Sequence, residues 1–186
     1  MSRIENISLC NNLFTLYKNK LLHHAYRTNR KILSSIETTS KINSVDPEII
    51  FSIILIESVS RGNFFMRSIE KMAGMVFPNI LIRLDVSLGI GQIRISTARK
   101  LCNLTNNKQI IKLLLDFESN ISLSSKLVSI YVEDCRFDKN PIKSIVKMYT
   151  TGNKDTVDNV QITVYYMLVS WSISNGTFHK VLAEIQ

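Results

Sequence analysis

The amino-acid sequence predicts a mainly α-helical protein with a single domain, and three observations support this. The 186 residues include only six glycines and three prolines. Together these two residue types usually make up about 12% of a chain, so turn-forming residues are scarce here. A β-sandwich or barrel needs turn residues about every 8–12 positions. Hydrophobic residues make up 45% of the chain, which is enough for a core. They also recur at helical spacing along much of its length.

In the first half of the chain, the sequence predicts one or two helices followed by a buried central helix. Residues 1–43 are expected to form one or two amphipathic helices. The next helix should begin near Pro47, because Asp46 can cap its exposed amides and Glu48 complements its dipole. The segment Ile49–Ile56 is apolar on every face except at Ser52, and a helix of this kind is buried.

The second half predicts further helices around one glycine-bearing loop. The loop is Asp85–Gln92, which we expect to be irregular or briefly extended. The expected helices are Asn63–Leu84 with a break at Pro78, Ser96–Leu104, Asn107–Cys135 with a break near Asn120, Pro141–Thr150 ending at Gly152, and Val157–Ser174.

No metal, cofactor or export signal is expected from the sequence. The three cysteines are widely spaced and form no CxxC pair, and His23 and His24 are adjacent, so they point about 100° apart on a helix. Polar residues interrupt Met1–Leu22, which therefore lacks the apolar run of about 7–15 residues of a secretory signal. The longest apolar run is far below the roughly 18 residues of a membrane span. We expect a soluble protein made in the cytoplasm.

Glu57 is the residue that most suggests chemistry. It directly follows the wholly apolar helix, so we expect its carboxyl group to be partly removed from water. Burial disfavours the charged form, and a carboxyl group held near neutral pH can donate a proton and take one back. The alternative is an ordinary helix-end pair with Arg61, four residues on.

Several short motifs occur in an order that resembles the lytic transglycosylase and goose-type lysozyme superfamily, which cleaves bacterial peptidoglycan. The resemblance covers residues 42–170. The motifs are Val45–Ile50, Ile54–Ser58, Ser87–Ile93, Ser96–Ala98 and Met148–Gly152. The resemblance implies a lysozyme-like helical domain, with 1–43 as an N-terminal helical extension, 44–174 as the catalytic core and 175–186 as a C-terminal tail. The central helix would end in the catalytic glutamate, and an added helix would precede the glycine-rich loop.

The same resemblance assigns roles to individual residues. Glu57 corresponds to the single acid and base, and Tyr149 to a tyrosine whose hydroxyl orients that carboxyl group. The implied substrate-binding residues are Ser58 beside the glutamate, Ser87 on the loop, and Gly89, Ile90, Gly91 and Gln92 in place of a Gly-Leu-Met-Gln segment. Tyr165 or Tyr166 corresponds to a later tyrosine of the cleft.

The sequence also departs from the family pattern. Gly91 stands where the family has methionine, and Thr150 where it has asparagine. The segment Arg61–Leu84 is an addition, expected as a helix beside the cleft. Its basic residues either contact anionic groups of the glycan or remain solvated; they are Arg61, Arg67, Lys71 and Arg83.

The resemblance implies cleavage between N-acetylmuramic acid and N-acetylglucosamine, with the sugar's own acetamido group assisting. A lytic transglycosylase needs the glutamate alone, whereas a muramidase would position water with a second carboxylate. Asp85, four residues before Gly89, is the candidate for that second role, and it could equally cap the turn. The sequence leaves this choice open.

Two other function classes remain as alternatives. Gly91–Leu101 is similar to the turn and second helix of a helix-turn-helix, and the net charge of +8 would favour phosphate contacts. This would leave the apolar helix before Glu57 unexplained, so nucleic-acid binding is the weaker interpretation. A third alternative is an inactive lysozyme-like protein that binds glycan or a partner.

The positive charge has a simpler use in the enzyme interpretation, since it attracts the protein to an anionic cell wall. The expected partners are peptidoglycan glycan strands, together with an immunity or delivery protein. Because no signal is seen, we expect this bacteriolytic enzyme to reach the wall by release or by a specialised export route.

Overall fold

The computed structural model describes the backbone of residues 3–60 and 64–185, and the side chains of residues 6–60 and 68–185. The predicted mainly α-helical class is confirmed. The helices are α1 (Arg3–Ala25), α2 (Arg30–Asn43), α3 (Pro47–Ser60), α4 (Phe64–Val76), α5 (Pro78–Arg83), α6 (Ile95–Cys102), α7 (Asn107–Leu115), α8 (Phe117–Cys135), α9 (Pro141–Thr151), α10 (Val160–Ser174) and α11 (Thr177–Ile185). None of the described helices is both long and apolar enough to cross a membrane.

Helix α3 forms the centre of the molecule. Every residue from Glu48 to Ile56 is buried, and α1, α2, α8, α10 and α11 all pack against it. As expected, Asp46 starts the helix, since its Oδ1 accepts the Glu48 N–H at 2.9 Å. Burial of each large apolar side chain contributes about 1.5–3 kcal/mol, so this helix is a major source of stability.

Glu48 does more than complement the dipole of its own helix. Its side chain is only 4% exposed, and its carboxylate accepts the backbone N–H groups of Phe178 at 3.0 Å and His179 at 3.2 Å. A carboxylate at a helix N-terminus satisfies amides that have no partner within the helix. The segment 175–186, expected as a tail, therefore contains α11, which Glu48 caps and which buries Phe178 and Val181.

The break in the 107–135 region lies at Asp116 rather than near Asn120. Asp116 ends α7 through its backbone N–H to Lys112 and begins α8 by accepting the Ser119 N–H at 2.9 Å. Its hydrogen bonds from Ser119 lower the pKa of the Asp116 carboxyl group. Asn120 instead lies fully buried within α8.

A two-stranded antiparallel hairpin occupies the glycine-bearing segment. Strand β1 (Ser87–Leu88) pairs with β2 (Ile93–Arg94), with Ser87 opposite Arg94 and Leu88 opposite Ile93. The added segment before it forms α4 and α5, which separate at Phe77. Arg61 and the side chain of Arg67 lie outside the described residues.

The described core residues form two hydrophobic clusters. The first cluster is built mainly from α1–α3 and α8–α11, and the second from the hairpin, α6 and α7. Helix α8 contributes to both, with Ile121 and Val128 in the first cluster and Leu123 in the second. The two clusters are thus joined by one long helix.

Candidate active site

A cleft of about 710 Å³ lies at the end of α3. Its walls come from α3, the β1–β2 hairpin, the start of α6, α9 and α10. Helices α1 and α8 add Leu13, Tyr17, Leu127 and Tyr131. The predicted site residues that line it are Glu57, Ser87, Gln92, Tyr149 and Tyr165. The fold therefore collects residues from four distant parts of the chain around one cavity.

Glu57 lies half-buried in the last turn of α3 and faces this cleft. The hydroxyl group of Tyr165 donates a hydrogen bond to its Oε1 at 3.1 Å. Burial and the nearby charge of Glu57 raise the pKa of Tyr165 well above its usual value. Tyr165 therefore stays a neutral donor and fixes the orientation of the carboxyl group.

Tyr149 was expected to orient Glu57, but its hydroxyl group is used elsewhere. It donates to the carbonyl oxygen of Gly91 at 2.6 Å and lies 3.4 Å from Ser124 Oγ. Burial raises the pKa of Tyr149, and the charge of Glu57 adds to this effect. Tyr165 thus makes the contact with the carboxyl group, while Tyr149 supports the loop.

The loop between β1 and β2 is anchored by Asn120. Its Oδ1 accepts the Gly91 N–H at 2.7 Å, and its Nδ2 donates to the carbonyl oxygens of Leu88 at 3.0 Å and Leu114 at 2.9 Å. Buried polar groups are stable only when paired, and this amide has partners on both its nitrogen and its oxygen. Asn120 thereby connects α8, α7 and the hairpin.

Gly89 and Gly91 are needed for this packing. Gly89 has a left-handed backbone with φ +80°, and a Cβ there would lie 2.2 Å from the Leu114 carbonyl oxygen. A Cβ at Gly91 would lie 2.0 Å from Ser124 Oγ. Both glycines let the loop lie directly against α7 and α8.

Gln92 is held by Glu70, a residue of the added helix α4 that the sequence did not suggest. The amide Nε2 of Gln92 donates to Glu70 Oε1 at 3.0 Å and to the Gly89 carbonyl oxygen at 2.8 Å. The other Glu70 oxygen accepts the Gly89 N–H at 3.3 Å. Gln92 itself has a left-handed φ of 51°, a conformation that costs free energy for a non-glycine residue. Helix α4 thus helps to fix the loop that borders the cleft.

Asp85 acts as a helix cap. Its Oδ1 accepts the Ser96 backbone N–H at 2.7 Å, and its Oδ2 accepts the Ser96 hydroxyl at 2.7 Å. It is absent from the described residues that line the cleft. Both carboxylate oxygens are therefore committed to the start of α6, and not to the turn at Ser87.

The remaining predicted residues, Gly89 and Gly91 included, are also absent from the cleft lining among the described residues. Ile90 is buried in the first cluster, and Ser58 lies half-buried on α3 next to Glu57. Tyr166 accepts a hydrogen bond from Asn140 Nδ2 at 2.9 Å, and Lys143 lies 5.9 Å from its ring centre. Of the two tyrosines considered, Tyr165 is the one at the site.

Helix α6 does not belong to a helix-turn-helix arrangement. The element directly before it is strand β2, and the helix buries Ile95 and Ala98 in the second cluster. The guanidinium group of Arg99 donates to Asn107 Oδ1 at 2.8 Å. This face of the helix is thus committed to α7.

Two residues that shape the site were not predicted from the sequence, namely Glu70 and Asn120. Asn120 follows Glu118 and Ser119 in the chain, so the sequence around it does not mark it as a buried polar anchor. Nothing in the sequence marks Glu70. Within the described part of the chain, no group of three or more His, Cys, Asp or Glu side chains could hold a metal ion.

Comparisons of this chain with protein-family models, with curated proteins and with solved structures found no match.

Proposed function

We propose that this protein cleaves the β-1,4 bond between N-acetylmuramic acid and N-acetylglucosamine in peptidoglycan, as a lytic transglycosylase. The observation that carries the proposal is the Glu57 carboxyl group at the end of a buried helix, on a cleft wall, with a hydrogen bond from buried Tyr165. The ordered motifs that resemble the lytic transglycosylase superfamily supply the substrate class. Ser87 and Gln92 border the same cleft.

The proposed reaction begins with proton transfer from Glu57 to the glycosidic oxygen. The bond from that oxygen to C1 of the muramic acid breaks, and the acetamido oxygen of the same sugar bonds to C1. The Glu57 carboxylate then takes the proton of the C6 hydroxyl group, whose oxygen bonds to C1 and displaces the acetamido oxygen. The product carries a 1,6-anhydro end, and Glu57 is again protonated.

Hydrolysis with Asp85 as second carboxylate is the alternative for the same bond. A two-carboxylate mechanism needs both groups at the scissile bond. The two Asp85 oxygens accept hydrogen bonds from Ser96. This commitment favours the mechanism that uses Glu57 alone.

We also propose the partners that the sequence suggests. The substrate is a glycan strand of the cell wall, which the protein reaches by release or specialised export. An immunity or delivery protein would accompany such a route.

The decisive experiment is digestion of purified sacculi followed by mass spectrometry of the soluble products. We expect anhydromuramyl ends from the wild type, and reducing ends would indicate a hydrolase. Glu57→Gln removes the transferable proton and should lower the rate about 10²–10⁴-fold. It should leave the unfolding transition nearly unchanged, because the amide keeps the shape of the carboxyl group.

The matched control is Glu133→Gln, an exposed glutamate whose side chain is 67% accessible. It should digest sacculi at the wild-type rate. A folded Glu57→Gln protein that still releases muropeptides at that rate would contradict the assignment.

A further inference from the structure

The outward surface of the added segment is apolar. Six side chains of α4, α5 and their flanks are between 53% and 78% exposed. We call them the α4–α5 apolar face; they are Met72, Met75, Val76, Phe77, Ile80 and Leu84. Isolated exposed apolar side chains are normal, whereas six within residues 72–84 are a candidate interaction site.

The opposite side of the same two helices is already used for packing. A Cβ at Gly74 would lie 2.7 Å from Leu115 Cδ1, so α4 lies close to α7. Leu81 and Ile82 of α5 pack on the second cluster, and Glu70 holds the loop at Gly89 and Gln92. The apolar face is therefore fixed outward by contacts on the other side.

The segment of sequence that carries this face is positively charged. The sequence from 61 to 84 contains four basic residues and one acidic residue. Lys71 and Arg83 are exposed, while the single acidic residue, Glu70, is hydrogen-bonded to the loop. Two copies of such a face would bring like charges together, but an anionic surface would attract it.

We propose that the α4–α5 apolar face binds the surface of a lipid bilayer that contains anionic lipids. Apolar side chains bordered by Lys and Arg are typical of helices that lie in the membrane interface. Helix α4 has 13 residues and α5 has 6, whereas a spanning helix needs about 20. The helices therefore lie in the plane of the interface, with the methionines, Phe77 and the aliphatic side chains among the acyl chains.

This inference is independent of the proposed cleavage reaction. It has one structural consequence for the site, because the helix that meets the lipid also carries Glu70. Binding would hold the cleft loop next to the membrane surface.

The test is co-sedimentation of the full chain with vesicles. We expect binding to vesicles with about 30 mol% phosphatidylglycerol and much weaker binding to pure phosphatidylcholine. The double variant Met75→Asp, Ile80→Asp should bind about tenfold less. The control Val157→Asp changes a side chain that is 85% exposed on another part of the surface, and it should bind like the wild type.

A second measurement uses Phe77→Trp, which places a fluorophore within the apolar face. Its emission, after subtraction of the single native Trp171, should shift to the blue with anionic vesicles and be quenched by brominated acyl chains. The proposal is overturned if the wild type does not sediment with anionic vesicles, or if the double variant binds equally well. It is also overturned if the substitutions only dissociate a dimer, which would identify a second copy as the occupant.

Discussion

Gly91 is tightly constrained by its neighbours at the edge of the cleft. Its N–H donates to Asn120 Oδ1 and its carbonyl oxygen accepts the Tyr149 hydroxyl. The space that a side chain would need is filled by Ser124 Oγ, 2.0 Å from the position of a Cβ. Gly91 has no positive φ, so close packing rather than backbone conformation excludes a larger residue here.

Gly91→Ala should therefore destabilise the protein by about 1–3 kcal/mol, the usual cost of overpacking. Ser124→Ala removes the clashing oxygen, so the double variant Gly91→Ala, Ser124→Ala should recover part of that loss. Urea unfolding of the four proteins in the cycle measures the coupling. The two single variants each change the free energy of unfolding. If these two changes simply add in the double variant, the clash is relieved in another way.

Tyr165, which is buried, and Tyr149, which is partly buried, make the protein sensitive to alkali. Burial is the main cause that raises the pKa of both side chains above the ordinary value of 10.0. The charge of Glu57 adds to this effect. The folded state keeps these protons after the unfolded chain has lost them. The stability they contribute is complete below pH 10 and is lost as the pH rises from there toward the folded-state pKa values.

We expect each tyrosine to contribute up to about 1.4 kcal/mol per pH unit to this loss. Unfolding free energies measured across the alkaline range should fall less steeply for Tyr149→Phe, Tyr165→Phe than for the wild type. The control is Tyr26→Phe, whose side chain is 46% exposed. Parallel curves for the wild type and the double variant would refute the expectation.

At the scale of elements, α6 depends on a cap from outside the helix. Asp85 has a left-handed φ of 47°, which aspartate tolerates better than most residues. From there it accepts both the N–H and the hydroxyl group of Ser96. The cap joins the segment before the hairpin to the helix after it, and so closes the base of the loop.

Asp85→Asn should keep sacculus cleavage within about twofold of the wild type, because the amide oxygen still accepts the Ser96 N–H. Its stability loss should be about 1 kcal/mol, which is typical of a weakened N-cap. The rate of muropeptide release and the urea midpoint provide the two readouts. A rate that falls as far as that of Glu57→Gln, with the fold intact, would instead assign Asp85 to the reaction.

At the scale of the whole molecule, the cleft forms where the two hydrophobic clusters meet. Ile56, Val164 and Leu168 line it from the first cluster, and Ile93 lines it from the second. Helix α8 bridges the clusters; its Asn120 accepts the Gly91 N–H of the loop, and its Ser124 Oγ lies 3.4 Å from the Tyr149 hydroxyl group. The site is thus a property of the assembled fold and not of any one element.

The net charge of +8 acts on the same scale. It should draw the protein to an anionic wall, and salt screens this attraction because the Debye length falls from about 30 Å at 0.01 M to about 8 Å at 0.15 M. We expect Glu57→Gln, which leaves the substrate intact, to bind sacculi about tenfold more weakly at the higher salt. The unfolding midpoint at both salt concentrations is the control. Binding that does not change with salt would show that contacts within the cleft dominate.

The start of α3 and the ends of α9 were predicted correctly from the sequence, because the partners there are close together in the chain. Asp46 and Pro47 start α3 as predicted, and Pro141 and Gly152 bound α9. The predicted break at Asn120 was wrong, because Asp116 provides the cap while Asn120 has tertiary partners. Caps span three or four residues, so they can be predicted, whereas Asn120 pairs with groups up to 32 residues away.

The sequence by itself determined that the chain is mainly helical, that its most apolar helix is central, and that Glu57 follows the apolar stretch of this helix, in what the structure shows to be its last turn. Periodicity, caps and hydrophobicity suffice for these features, because each is settled within a few turns of chain. Only the tertiary structure decided that Tyr165 rather than Tyr149 binds Glu57, that Glu70 holds Gln92, and that Glu48 caps α11. Glu48 and its partner Phe178 are 130 residues apart in the chain. Such contacts exist only once the clusters have packed and each buried polar group has found its partner.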